Sequence, residues 1–267
     1  MKKGLGFAIV IVIVLSMFGQ NFSNFFSASD PEAGKKKEYT DVFDKLYAYE
    51  ASDVEKIIRE AEIERQKKLS AELRQKKINE TLLNLRTGKI SYRKVFANTC
   101  FVGDSLLNGL EVYNILNPDR LITQVSARLG HLEDNLKKIV AMNPKILILH
   151  YGVNNLWDND TGMGWFIDDY TELVLKLKKA LPYTRIIVSS IFPVDEELAT
   201  AEIFTYIPKH NQALKKMCAA TGVEFLDSTS LVAGCKDYYA SDGIHFTASF
   251  YSEKWLPFIV ANKGITG

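Results

Sequence analysis

The chain has 267 residues, room for one domain of ordinary size and an extra segment at one end. It is 47% hydrophobic and 11% aromatic, ample for a packed core. A formal net charge of +1 gives no global field for nucleic acid or an acidic polymer, and neither is expected as a partner.

The N-terminus, MKKGLGFAIVIVIVLSMFGQNFSNFFSAS, carries two lysines and then no charge until Asp30. Its apolar core, Leu5 to Phe18, is short for a membrane span, but the uncharged stretch continues through Phe22, Phe25 and Phe26. Since about 20 helical residues cross a bilayer, the expectation is a transmembrane signal anchor. It would occupy residues 1–29. Lys2 and Lys3 would stay in the cytoplasm, and the remainder would be exported. A cleaved signal peptide with Ser27 and Ser29 near the cut is the competing reading. No cysteine follows the segment, which excludes a lipoprotein. The lysine-flanked single anchor suggests a bacterial surface protein.

Residues 30–94 read as a polar linker followed by a charged helical stalk. DPEAGKKKEYT is the linker, and the Glu-, Lys- and Arg-rich stretch after it has no Gly or Pro before Gly88. Ser52 and Glu55 have capping-box spacing, which marks a helix start. Ile58, Leu69, Leu73, Leu82 and Leu85 make an apolar stripe too irregular for a coiled coil. A solvated stalk is the plain reading, with docking or self-association through it as the alternative.

From residue 95 to residue 267, short apolar runs alternate with amphipathic stretches. VFANTCFVG, RLITQVS, KILILHYG, RIIVSSIFP and VEFLDS read as five strands. Helices are expected over 105–116, 130–142, 165–181, 207–222 and 248–260. Alternating strands and helices, with strands apolar on both faces, predict an α/β fold with a parallel sheet covered on both sides. In such sheets ligands sit at the carboxyl ends of the strands.

Polar residues collect at that rim. Ser105 follows the first strand, Asn154 follows the third, and Asp242 and His245 lie between the fifth strand and the last helix. A serine hydroxyl is a weak nucleophile unless an imidazole takes its proton, and His245 can do so. Asp242, three residues away, can orient and stabilise that ring. The oxyanion of a tetrahedral intermediate needs preorganised donors, each worth about 2.7–4 kcal/mol of barrier. The Asn154 amide and the Ser105 N–H at a helix start can supply them.

These blocks resemble the SGNH, or GDSL, hydrolase family of serine esterases. Gly103-Asp104-Ser105 matches the family's first block, with Ser105 as nucleophile and oxyanion donor. Gly152-Val153-Asn154-Asn155 matches the third, and Asp242-Gly243-Ile244-His245 the fifth. The resemblance covers residues 95–262 and implies a flavodoxin-like three-layer α/β/α sandwich with a five-stranded parallel sheet. It departs from the family at two places. The second block normally supplies a glycine N–H, whereas here the loop is QVSARLG, so Ser126 is the expected donor with Ala127 as the alternative. Asn155 stands where the family has aspartate, which bears on loop support.

The resemblance implies an esterase that needs no metal or cofactor, and the N-terminal segment implies that it lies outside the cytoplasm. It would act on small acyl groups, such as acetyl, on carbohydrates or cell-envelope glycans. An O-acyltransferase using the same triad, a lipase- or thioesterase-like enzyme and an inactive membrane-tethered scaffold are the alternatives. His131, His150 and His210 lack metal-ligand spacing and read as core or surface residues. His150 and Tyr151 adjoin the third block and could line the site. Trp157, Tyr238 and Tyr239 sit near the blocks and could stack on sugar rings, although packing is the plainer role. TGMGW is not a phosphate loop. Cys100, Cys218 and Cys235 are too few for a disulfide framework, leaving a Cys218–Cys235 bridge or buried free thiols.

Overall fold

The computed structural model describes residues 51–232 and 236–267. The segment expected to span a membrane, the linker up to residue 50 and Cys235 lie outside the described residues. Among the described residues, no helix is long and apolar enough to cross a membrane. Cys100 and Cys218 are buried free thiols.

Helix α1 (Ala51–Arg86) is the charged stretch. Every described side chain from Glu55 to Lys77 is exposed. Ile78 is the first to be buried, and Leu82 and Leu85 pack on the core with it. Leu69 and Leu73 of the sparse apolar stripe remain in solvent. The helix stops as Gly88 takes a left-handed φ of 70° and donates to the Leu85 carbonyl. The chain divides into compact units at Glu72 and Leu73, and the second unit holds the sheet.

After the short α2 (Tyr92–Val95) come β1 (Thr99–Gly103), α3 (Ser105–Val112), β2 (Leu121–Thr123), α4 (Leu129–Asp134) and α5 (Leu136–Met142). They are followed by β3 (Ile146–His150), α6 (Asp160–Ala180), β4 (Arg185–Ser189), α7 (Ile207–Thr221), β5 (Glu224–Leu226) and α8 (Leu256–Lys263). The sheet order is β2-β1-β3-β4-β5, with every pairing parallel. Alternate residues of each strand enter opposite cores. Cys100, Val102, Leu147 and Leu149 face one, beside Tyr170, Val174 and Leu177 of α6 and Leu214 of α7. Phe101, Ile148 and Ile187 face the other, beside Leu106 and Leu110 of α3 and Trp255, Ile259 and Val260. This is the expected sheet between two helical layers. The register sets Gly103 level with both Thr123 and His150, so the loops after β1, β2 and β3 leave the sheet at one level.

Several element bounds differ from expectation for local reasons. Helix α3 ends at Val112 because Asn114 turns left-handed and two N–H groups converge on the Leu110 carbonyl. The expected helix over 130–142 breaks at Asn135, whose side chain takes the His131 carbonyl at 2.8 Å. Helix α6 begins before Trp165 because Asn159 caps it, accepting from the Gly162 N–H at 2.8 Å. The last helix opens with a π-helical turn, Phe250–Trp255, ahead of Pro257, which has no N–H to continue the ordinary ladder.

Candidate active site

Ser105 is the first residue of α3, held between a buried strand end and a buried helix face. Asp104 caps the helix by accepting from the Leu106 N–H at 3.0 Å. Leu106, Leu107 and Leu110 fix the helix in the core, and the Tyr251 hydroxyl donates to the Leu106 carbonyl at 2.6 Å. Asp104 has no solvent exposure, and its Oδ2 meets no partner among the described residues. Burial pushes its carboxyl up to about 7, against the downward pull of backbone N–H groups. The Ser105 N–H heads the helix, where no intrahelical acceptor exists.

The segment from Tyr238 to Thr247 folds back on itself. Tyr239 bridges Phe246, and the Ala240 N–H donates to the His245 carbonyl at 2.8 Å. Gly243 turns the tip at a φ of 69°, and its carbonyl accepts from the Asp195 N–H at 2.8 Å, bracing the turn on the loop after β4. Asp242 Oδ1 accepts from the Ile244 and His245 N–H groups, both at 2.9 Å. Its Oδ2 then meets His245 Nδ1 at 2.6 Å, while His245 Nε2 stands 2.9 Å from Ser105 Oγ. Burial alone would raise the Asp242 pKa, but the His245 N–H, the His245 ring and the Ile244 N–H together lower it to about 2.

Asn154 lies in the turn after β3, in a short 3-10 segment that Gly152 makes possible. Gly152 has a φ of 143°, and a Cβ there would fall 2.4 Å from Ile191 Cδ1. One Asn154 amide hydrogen is donated to the Ala127 carbonyl at 3.2 Å, which leaves the other free. The second-block loop reaches the same rim because the Gln124 N–H donates to the Gly103 carbonyl at 3.3 Å. Ser126 there has a φ of 56°, a conformation glycine ordinarily takes, which gives a physical reason for the family's glycine. The Ala127 N–H is already donated to Gln124 at 3.2 Å. Asn155 Oδ1 is buried without a partner among the described residues.

A model of the GDSL-like lipase/acylhydrolase family matches residues 101–252, more than half of the chain. The chain belongs to that family. It is an ester hydrolase of the SGNH type. The matched span of this family member begins at Phe101 in β1 and contains Ser105, Ser126, Asn154, Asp242 and His245. A protein from Parabacteroides merdae described as a GDSL-like lipase has a similar structure: identity 16%, TM-score 0.49, covering 62% of this chain and 94% of that one. A GDSL-like lipase from Bacteroides thetaiotaomicron is 13% identical at a TM-score of 0.47, over 62% and 86% of the two chains. A carbohydrate esterase family 3 protein from Talaromyces cellulolyticus is 15% identical at 0.45, over 62% and 94%. No curated protein matches the sequence.

The remaining candidates of this GDSL-family chain separate clearly. His150 is buried against Phe192, and burial depresses it to about 3. Tyr151, also buried, hydrogen-bonds His131 Nδ1 at 2.7 Å. His210 binds backbone on both sides, the Tyr206 carbonyl at 2.9 Å and the Trp157 N–H at 3.2 Å. Tyr238 and Tyr239 pack on Phe250 and Phe246. Among the described residues, no group of His, Cys, Asp or Glu has the arrangement of a metal site. Two contributors carry no sequence signal: the Tyr251 hydroxyl that fixes α3, and the Ala127 carbonyl that holds Asn154.

Proposed function

We propose that the chain is an extracytoplasmic serine esterase that removes small acyl groups, acetyl above all, from carbohydrates or cell-envelope glycans. One observation carries the reading: a continuous hydrogen-bonded row from Ser105 Oγ through the His245 ring to the Asp242 carboxylate. The Asp242 carboxylate only accepts, so Nδ1 of His245 carries the ring hydrogen and Nε2 is left to receive a proton. Ser105 Oγ attacks the ester carbon as its proton passes to Nε2. The Asn154 amide, the Ser105 N–H and the Ser126 N–H hold the oxyanion. The C–O bond to the alcohol breaks as Nε2 returns the proton, leaving an acyl-serine. Water then repeats the sequence and releases the acid.

The exposure of the site supports a bulky alcohol. The Asp242 and His245 side chains are 48% and 41% exposed, so a glycan can approach from the histidine side. Anchoring outside the cytoplasm is supported by Lys2 and Lys3 ahead of the apolar run Leu5 to Phe18. Retention of the full chain in carbonate-washed membranes tests that placement, and its release would overturn it.

Activity is tested by fluorophosphonate labelling and by hydrolysis of esters of increasing acyl length. Labelling of the wild-type chain, its loss in Ser105→Ala and a preference for acetyl support the proposal. An unlabelled wild type would sink the enzyme mechanism. A strong preference for long acyl chains would replace the glycan reading with a lipase or thioesterase.

A further inference from the structure

Two of the chain's three tryptophans are in solvent, one of them three residues after Asn154. Trp157 is 39% exposed and Trp165 is 59% exposed, whereas Trp255 is wholly buried. Because the two rings touch, their exposed parts form one contiguous apolar surface rather than two isolated side chains. Trp157 follows Asn154 by three residues, so their Cα atoms are at most about 11 Å apart.

The local structure builds the pair and holds it still. The indole of Trp157 lies against Gly162, where a Cβ would fall 2.3 Å from Cδ2. Gly162 and Trp165 are three apart on α6 and share a face, which brings the indoles edge to face at 5.9 Å and 88°. The Trp157 N–H is tied to His210 on α7 at 3.2 Å, which fixes the backbone that carries this ring.

An acceptor follows Trp157 directly in the chain. Asp158 accepts from the Asn159 amide through Oδ1 alone, leaving its second oxygen for hydroxyl donors. The neighbouring cation, Lys209, is already paired with Asp160. Exposed indole faces beside a carboxylate acceptor suit the C–H face and hydroxyls of a neutral sugar ring. The Asp158 carboxylate beside them disfavours an anionic ligand.

We infer that Trp157 and Trp165 form a platform that binds a neutral saccharide ring of the substrate next to the oxyanion site. The inference rests on the esterase reading and narrows its substrate to an acylated oligosaccharide or polysaccharide. The full chain and its Trp165→Ala and Trp165→Phe variants are assayed on 4-nitrophenyl acetate, chemically O-acetylated chitotetraose and chemically O-acetylated xylotetraose. The readout is the ratio of kcat/KM on an oligosaccharide to that on 4-nitrophenyl acetate. Trp165→Ala is expected to lower this ratio at least about fivefold, through KM, for one or both oligosaccharides, with Trp165→Phe restoring most of it. A smaller fall, or an equal fall in both variants, overturns the platform. Turnover of 4-nitrophenyl acetate with neither oligosaccharide hydrolysed also overturns it while leaving the esterase standing. A wild type that hydrolyses none of the three overturns the esterase reading and the platform with it.

Discussion

His245 Nε2 stands 2.9 Å from Ser105 Oγ, although 140 residues separate them in sequence. The fold closes that gap by placing Ser105 at the end of β1 and His245 on a turn braced by the loop after β4. Ser105 therefore rests on backbone fixed by the sheet, and His245 on a turn held by the Asp195–Gly243 hydrogen bond. Proton transfer over this distance needs no rearrangement of either element.

Replacing Asp242 by Asn tests the far end of the row. The amide can donate to Nδ1, which turns the ring hydrogen toward Ser105 and removes the acceptor. We expect kcat for ester hydrolysis to fall by about 10³–10⁴-fold with the fold intact. Circular dichroism checks the fold and steady-state kinetics the rate. A fall below about tenfold would mean that Asp242 merely shapes the turn. Asp242 stays ionised down to about pH 2, so activity lost between pH 7 and 5 is not its protonation.

Asn154→Ala removes the side-chain donor and its hydrogen bond to the Ala127 carbonyl. An oxyanion donor acts on the transition state more than on bound substrate, so kcat is expected to drop about 10²–10³-fold with KM little changed. The broken hydrogen bond contributes about 1 kcal/mol to stability. Kinetics and urea unfolding on one preparation separate these effects. A rise in KM at constant kcat would assign Asn154 to ground-state binding instead.

The strands were legible because β1, β3 and β4 are runs of apolar, β-branched or aromatic residues that both cores demand. Ser105, Asn154, Asp242 and His245 were legible because each follows a strand end or shares a loop, so sequence order predicts a common rim. Helix ends were less so. The breaks at Asn135 and ahead of Pro257 depend on which carbonyl a side chain or a missing N–H competes for. The exposure of Trp157 and Trp165 depends on an indole lying over Gly162, a contact that spacing alone does not show. Ser126 was readable as a loop position, but its positive φ, the feature that relates it to a glycine, exists only in three dimensions.

Gly103→Ala probes the strand end behind Ser105. A Cβ at Gly103 would lie 2.3 Å from the His150 carbonyl oxygen and 2.9 Å from Leu107 Cδ1. The leucine can rotate, but the carbonyl belongs to the adjacent strand and cannot. Overpacking of this kind costs about 1–3 kcal/mol, and a backbone clash falls at the upper end. We expect a lower urea midpoint, with activity per folded molecule also reduced because Ser105 shifts with the strand. An unchanged midpoint would show that β1 and β3 can separate without cost.

Asp104 gives the pH dependence of stability a definite sign. Its carboxyl titrates near 7 in the folded chain, against an ordinary value of 3.8, because burial disfavours the charged form. Below pH 3.8 both folded and unfolded chains hold the proton and this residue imposes no cost. As pH rises from there toward 7, the unfolded chain releases the proton first, so stability declines across that window and levels off above it. Asp104→Asn keeps an oxygen to accept from the Leu106 N–H but cannot ionise. Between pH 5 and pH 8 the unfolding free energy of the variant, relative to wild type, is expected to improve by about 2–3 kcal/mol. Urea unfolding at both pH values measures that difference directly. Parallel curves would show that the Asp104 carboxylate stays charged in the folded chain, stabilised by groups the burial argument omits.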